Sequence, residues 1–129
     1  MKWITKIFED SDIIVTSKVK PNFVDDVVKF LNYLEEKLNL KTTSKIFISS
    51  NNKIVGAYHS EKDVIEISER GVKKYAKKLQ LSSYNAILMN VLVHEMHHSI
   101  TKDSNENRIV NLTNETLKLI INIFSDDKK

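Results

Sequence analysis

The chain has 129 residues, 41% of them hydrophobic and 29% charged, so we expect a single globular domain over residues 1–129. It contains no cysteine, which excludes disulfides and thiolate metal sites and leaves nitrogen and oxygen as metal ligands. The net charge is +3, with eighteen Lys and two Arg. Because specific nucleic-acid readers rely on Arg, this composition argues against a nucleic-acid partner.

The N-terminal residues give no sign of export. Their apolar stretch is interrupted by Lys6 and turns acidic at Glu9 and Asp10, which argues against a signal peptide. No apolar run in the sequence approaches the length that spans a bilayer. We therefore expect a cytoplasmic protein with no membrane partner.

The first forty residues predict a strand and a helix. Apolar patches at residues 3–8 and 13–15 flank an acidic break, and we predict one short strand around residues 12–19. Pro21 suits the first turn of a helix. Apolar residues then recur at helical spacing as far as residue 38, which predicts an amphipathic helix.

Three strand-like runs follow at residues 45–49, 54–59 and 64–68, joined by connectors of turn composition. The simplest assembly is an antiparallel meander. Gly56 and Ala57 in the middle run have two interpretations. Small residues allow a docked peptide to approach, or they mark a bulge or a tight spot against a helix.

The second half of the chain is predicted to be helical. A short helix over residues 72–79 carries four lysines on one face, a pattern typical of a solvated surface. A second helix, capped by Ser82 or Ser83, should run to about Ile100, and a third should reach the C-terminal end. The predicted fold class is α+β, with a small antiparallel sheet packed with three to four helices.

The second of these helices contains the motif His-Glu-x-x-His. Residues four apart lie on one face of a helix, so His94 and His98 can bind one metal ion. Glu95 lies about 100° around the helix, within reach of water on that ion. The alternative is an amphipathic helix that exposes three histidines. His97 should point away from the metal, as a surface or second-layer histidine.

Glu106 is the predicted third metal ligand. A short polar connection after residue 100 makes the last two helices antiparallel neighbours, which brings position 106 level with His98. Asp103 in the turn and the neutral amide of Asn107 are the alternatives. Asn111 comes level with the first histidine and is the candidate that orients it. Glu106 also has a simpler interpretation, as an acidic residue in the first turn of a helix.

Residues 92–98 resemble the active-site helix of zincin metallopeptidases. The order of elements over residues 45–124 looks like a minimal gluzincin and is similar to short HExxH proteins of phages and mobile elements. It is also similar to ImmA/IrrE-type and SprT-like peptidases. Residues 106–114 resemble the second helix of that group, with Ile109-Val110 where ImmA/IrrE proteins usually have Ala-Asn or Ala-Asp.

The resemblance implies a zincin-like fold, Zn²⁺ as the cofactor and hydrolysis of a peptide bond in a protein or peptide substrate. Glu95 would act as the general base. If the chain is phage-encoded, its location would be the cytoplasm of a bacterial host. Three residues are candidates for contacts with the oxyanion or the substrate: Tyr58, His59 and Tyr75.

Two other functions compete with this interpretation. A catalytically silent module, such as a phage-encoded inhibitor or regulator of a host protein, would keep the scaffold without the reaction. Retention of Glu95 argues against it, because metal binding alone does not need that residue. A DNA-associated regulator is supported only by the lysine face and the basic pI of about 9.0. Steeply salt-dependent DNA binding would distinguish it.

Overall fold

The computed structural model describes residues 2–8, 11–16, 18–79 and 84–127. These residues form five strands and four helices. The strands are β1 (Lys2–Phe8), β2 (Ser11–Thr16), β3 (Lys45–Ser49), β4 (Gly56–His59) and β5 (Val64–Ser68). The helices are α1 (Pro21–Leu38), α2 (Glu69–Leu79), α3 (Tyr84–Thr101) and α4 (Glu106–Asp127). The predicted α+β class is confirmed.

The strands form one mixed sheet in the order β1-β2-β3-β5-β4, so the prediction of an antiparallel meander is wrong. β2 and β3 are parallel, and so are β3 and β5. The β1–β2 and β4–β5 pairs are antiparallel. The apolar patch at residues 3–8, for which we predicted no strand, lies in β1.

Connection and composition explain this order. α1 links β2 to β3, and a helical crossover returns the chain parallel to the strand that it left. β5 is apolar at alternate positions, and four of its five residues are buried, which suits a strand with neighbours on both sides. β4 is shorter than the run predicted at residues 54–59 and has no fully buried residue. It therefore fits the edge of the sheet.

The core lies between one face of the sheet and the helices. The isoleucines of β3 and β5 that point inward are almost fully buried, with exposed fractions of 0–1%. They belong to one apolar cluster with residues of all four helices, among them Leu34, Val72, Leu92 and Ile120. α3 passes through this cluster, which fixes the position of the motif relative to β4.

The helix predictions are largely confirmed. α1 has the predicted bounds, and α3 ends one residue beyond the predicted end. α2 begins at Glu69, three residues before the predicted start. Gly71 lies inside this helix. A Cβ at this position would lie 1.9 Å from the carbonyl oxygen of Ile54, so the close contact requires glycine. The predicted caps Ser82 and Ser83 lie outside the described residues. No helix among those residues is both long and apolar enough to cross a membrane.

Candidate metal centre

α3 is apolar on nearly every side, and its three histidines lie in different surroundings. Leu92, Val93 and Met96 are buried in the core. His94 and His98, one turn apart, face α4 and a surface cleft, with ring centroids 4.9 Å apart. The predicted placement of these two rings on one face is confirmed.

Glu106 joins the two rings. Its Oε2 lies 3.1 Å from Nε2 of His94, and its Oε1 lies 2.8 Å from Nε2 of His98. The carboxylate is at the first residue of α4, directly after the four-residue connection 102–105. The prediction that Glu106 comes level with His98 is confirmed. Its side chain is 67% exposed, so this side of the cluster is open to solvent.

His98 has a fixed tautomer when neutral. Its Nδ1 lies 2.8 Å from the backbone carbonyl oxygen of Asp103, and only an N–H at Nδ1 can donate to that oxygen. Nε2 then carries a lone pair and faces Glu106, which has only lone pairs to offer. A contact of 2.8 Å between two acceptors needs either a proton, carried by the ring or by the carboxyl group, or a metal ion between them.

The ligand set fits zinc. Among the residues that the structure describes, His94, His98 and Glu106 form the group that offers three ligand atoms within 4.8 Å of one another. Tetrahedral zinc with ligands at about 2.0–2.1 Å separates them by about 3.3 Å. The observed separations of 2.8 and 3.1 Å are within a few tenths of an ångström of that spacing. The carbonyl behind His98 is the outer partner that a ligating imidazole normally has.

Glu95 lines the same cleft, which has a volume of about 440 Å³. Its side chain lies in a poorly solvated place, with 8% of the residue exposed. Burial raises its pKa from an ordinary 4.5 to about 7. His98 opposes this shift, the charge of Glu106 adds to it, and His59 also opposes it. The carboxylate therefore exchanges a proton near neutral pH in the metal-free protein.

Gly56 is the tight spot at which β4 meets α3. A Cβ at this position would lie 2.5 Å from Cγ1 of Val91, 3.2 Å from Cγ of Glu95 and 3.4 Å from its Oε2. Of the two interpretations of the small residues in this strand, the structure supports close packing against a helix. The glycine lets the edge strand lie directly beside Glu95.

Three other predicted residues lie at different distances from the cleft. Tyr58 lines it. His59 points to the other face of β4, where its Nε2 lies 2.9 Å from Oε1 of Glu66. Tyr75 lies on α2, is 42% exposed and does not line the cleft.

Asn111 is exposed, and the hydrogen bonds of the described residues include none between it and His94. The reason is angular. Position 111 lies level with the first histidine along the helix but about 140° around α4 from Glu106. The side of α4 that packs inward carries Ile109, Thr113 and Thr116 instead.

His97 points away from the cluster, as predicted. It is buried, and its Nε2 lies 2.8 Å from Oγ1 of Thr116 on α4. Thr116 donates its own proton to the carbonyl oxygen of Leu112, so the His97 ring must be the donor. Burial lowers the pKa of His97, and the nearby charge of His94 lowers it further. This histidine joins α3 to α4, and its surroundings favour the neutral ring.

Sequence reasoning missed two parts of the site. One is the carbonyl of Asp103, because a backbone group has no sequence signature. The Asp103 side chain, considered as an alternative ligand, pairs with Arg108 instead. The other is Lys102, which lines the cleft and donates to Tyr58 and Asp63. Its only sequence signal was its place directly after the motif helix.

The chain matches no protein-family model, no curated protein and no solved structure. The resemblance to zincins therefore depends on the motif and on the geometry described above.

Proposed function

We propose that the protein is a zinc-dependent peptidase. The observation that carries this proposal is the carboxylate of Glu106 lying between the Nε2 atoms of His94 and His98, with Glu95 lining the same cleft. His94, His98 and Glu106 would hold the ion. When bound, zinc would supply a Lewis acid for the scissile carbonyl.

Glu95 would handle the proton of the reaction. As the attacking water forms its bond to the carbonyl carbon, Glu95 takes one of the water's protons. When the C–N bond breaks, the same proton passes to the leaving amine. A pKa of about 7 in the metal-free protein suits a group that must both accept and return a proton at neutral pH. Metal binding alone would not need a carboxylate at this position.

The edge strand supports a peptide as the substrate. β4 is last in the strand order and pairs only with β5 among the described strands. Its unpaired edge can add an extended peptide through backbone hydrogen bonds. Gly56 and Tyr58 of this strand line the cleft together with Glu95, which would bring an added peptide past the general base.

Wild-type protein and a Glu95→Gln variant, both loaded with zinc, test the proposal. Each is incubated with a mixture of synthetic peptides that together present all residue pairs, and products are identified by mass spectrometry. The amide keeps the shape of the carboxylate but cannot take the proton. We expect about one zinc per chain in both proteins and new peptide termini only with the wild type.

Identical product patterns from the two proteins would contradict the role of Glu95. One zinc in each protein without cleavage by either would contradict the peptidase proposal. It would favour a binding module that uses the same metal site.

A further inference from the structure

Lys102 closes the rim of the cleft directly after α3. Its backbone is left-handed, with φ 58°, and its N–H donates to the carbonyl oxygen of His98 at 2.9 Å. Its Nζ donates to Oδ1 of Asp63 at 2.7 Å and to the Tyr58 hydroxyl at 2.8 Å. The ammonium also lies 5.2 Å from the centre of the Tyr58 ring, within the range of a cation–π contact. The side chain of Lys102 is 57% exposed, and these contacts fix its position.

Asp63 is the anchor of this arrangement. Besides the bond from Lys102, its Oδ1 accepts the hydroxyl protons of Tyr58 and Ser44, each at 2.6 Å. Ser44 is buried, and its Oγ lies 2.5 Å from that of Ser99 on α3. Hydrogen bonds from Lys102, then from Ser44 and Tyr58, hold the pKa of Asp63 well below its usual range. These hydrogen bonds therefore favour the charged form of the carboxylate.

One N–H donor of Lys102 has no acceptor among the hydrogen bonds at this rim. Tyr58 has a single hydroxyl proton, and it gives that proton to Asp63. It therefore has none to offer a substrate in this arrangement. Lys102 has three N–H donors, and Asp63 and Tyr58 accept two of them. The third is available to a group in the cleft.

The lining of the cleft suits a small polar group. Apart from its charged and imidazole residues, the cleft is lined by Gly56, Ala57, Tyr58, Ser60 and Ser104. No aliphatic side chain larger than alanine lines it, although apolar lining is the rule for pockets that bind apolar groups. Lys102 is the only Lys or Arg among the lining residues.

We propose that Lys102 binds a carboxylate of the substrate, so that the site prefers peptides with an acidic group close to the scissile bond. An acidic side chain and a free C-terminal carboxylate share this chemistry. The proposal rests on the zinc peptidase proposed above. Without a metal, the acidic residues that line the cleft, Glu95, Asp103 and Glu106, oppose a further carboxylate. A carboxylate preference should therefore appear only when zinc is bound.

Matched pairs of metal-binding probes test this directly. The monohydroxamates of succinate and glutarate each carry a carboxylate, and the corresponding amides replace it with a neutral group of the same shape. Zinc content is first measured on every sample, and binding is then measured by titration calorimetry. For the zinc-loaded wild type we expect the better carboxylate probe to bind about threefold to tenfold more tightly than its amide.

Two variants identify the residue. Lys102→Gln should remove the preference, so that the carboxylate probe and its amide bind this variant equally. Lys73→Gln is the matched control, because Lys73 also pairs with a carboxylate, that of Glu69 at 2.8 Å, but lies on α2 away from the cleft. It removes the same net charge and should keep the preference. Peptide hydroxamates with either a C-terminal glycine carboxylate or an amidated terminus and an aspartate side chain identify the favoured source.

Each failure is distinct. Zinc-loaded protein that binds both probes equally, or a preference that survives Lys102→Gln, overturns the carboxylate proposal and leaves the metal site standing. Zinc-loaded protein that binds neither probe also overturns the carboxylate proposal and leaves the metal site standing. Loss of the preference in both Lys102→Gln and Lys73→Gln shows an effect of net charge and also overturns it. Absence of zinc from the wild type overturns the proposed function and the carboxylate proposal together.

Discussion

His98, which we propose as a metal ligand, is oriented by a backbone group. The turn after α3 places the carbonyl of Asp103 at 2.8 Å from Nδ1, which turns the lone pair of Nε2 toward Glu106. The Asp103 side chain takes no part in this bond and pairs with Arg108. The position of the carbonyl depends on the left-handed backbone of Lys102, which ends the helix. The protein alone therefore orients the imidazole in the way that the proposed ligand role requires.

Neighbouring histidines with opposite orientations give a matched pair of variants. We predict that His98→Gln loses stoichiometric zinc, because an amide is a poor zinc ligand. His97→Gln should retain about one zinc per chain, since its amide can still donate to Thr116. Elemental analysis after zinc loading and gel filtration measures both. Equal zinc contents in the two variants would contradict the assignment of His98.

Glu95 gives the metal-free protein a pH dependence of known sign. Its pKa is about 7 in the fold against 4.5 ordinarily, so the folded state binds the extra proton and this group lowers stability as the pH rises between those values. Glu95→Gln removes the effect. In chelator, we predict that the variant's advantage in unfolding free energy grows from near zero at pH 4.5 to about 3 kcal/mol at most by pH 8.

Urea unfolding of both proteins across that range measures the difference. Groups that do not interact with Glu95, such as His97, cancel in the comparison. A difference that is constant with pH, or one that shrinks as the pH rises, would show that burial does not raise the pKa of Glu95.

At the scale of elements, the contact between β4 and α3 sets the width of the site. We predict that Gly56→Ala lowers the unfolding free energy by about 1–3 kcal/mol, because the added methyl would lie 2.5 Å from Val91 and 3.2 Å from Glu95. Ala57→Ser is the control, since alternate residues of a strand point to opposite faces. Thermal unfolding measures both. A Gly56→Ala variant as stable as the control would mean that the strand can move away from α3 at no cost.

The helices could be predicted from the sequence, but the order of the strands could not. Helical spacing and Pro21 define α1, and the motif with its short polar connection places Glu106 beside His98. These signals are local, and a short connection leaves two helices few ways to pack. Strand order depends on pairing between distant segments. β5 lies between β3 and β4, and four of its five residues are buried. This burial depends on the assembled core and is not visible in the sequence.

Predictions at the candidate site divide in the same way. Glu106 was found because axial level alone decides whether the first residue of α4 can reach His98. Asn111 was chosen by axial level too, but its direction around the helix matters, and that direction is outward. Lys102 and Asp63 are 39 residues apart, and their contact depends on how the sheet meets the end of α3.

At the scale of the whole molecule, the proposed metal site lies where several elements meet at one end of α3. The three candidate ligands lie on α3 and α4, and the cleft between them is closed by β4. Zinc that binds only the folded chain raises its unfolding free energy with the logarithm of the ratio of free zinc to Kd. At a thousandfold ratio the gain is about 4 kcal/mol. We predict that chelator lowers the Tm by roughly 15 °C for a chain of this length.

Differential scanning calorimetry with and without chelator checks this value. The His98→Gln variant supplies the reference, because its Tm should not respond to chelator. A wild-type Tm that is equally insensitive would mean that the folded chain gains nothing from zinc.

The most direct test is a crystal structure of the zinc-loaded protein with anomalous data collected at the zinc edge. We predict one ion, bound by Nε2 of His94, Nε2 of His98 and a carboxylate oxygen of Glu106, each within about 2.0–2.2 Å. An ion held instead by Asp103 or His97, an ion held by the two rings and solvent without Glu106, or no anomalous peak in the cleft would contradict the metal centre.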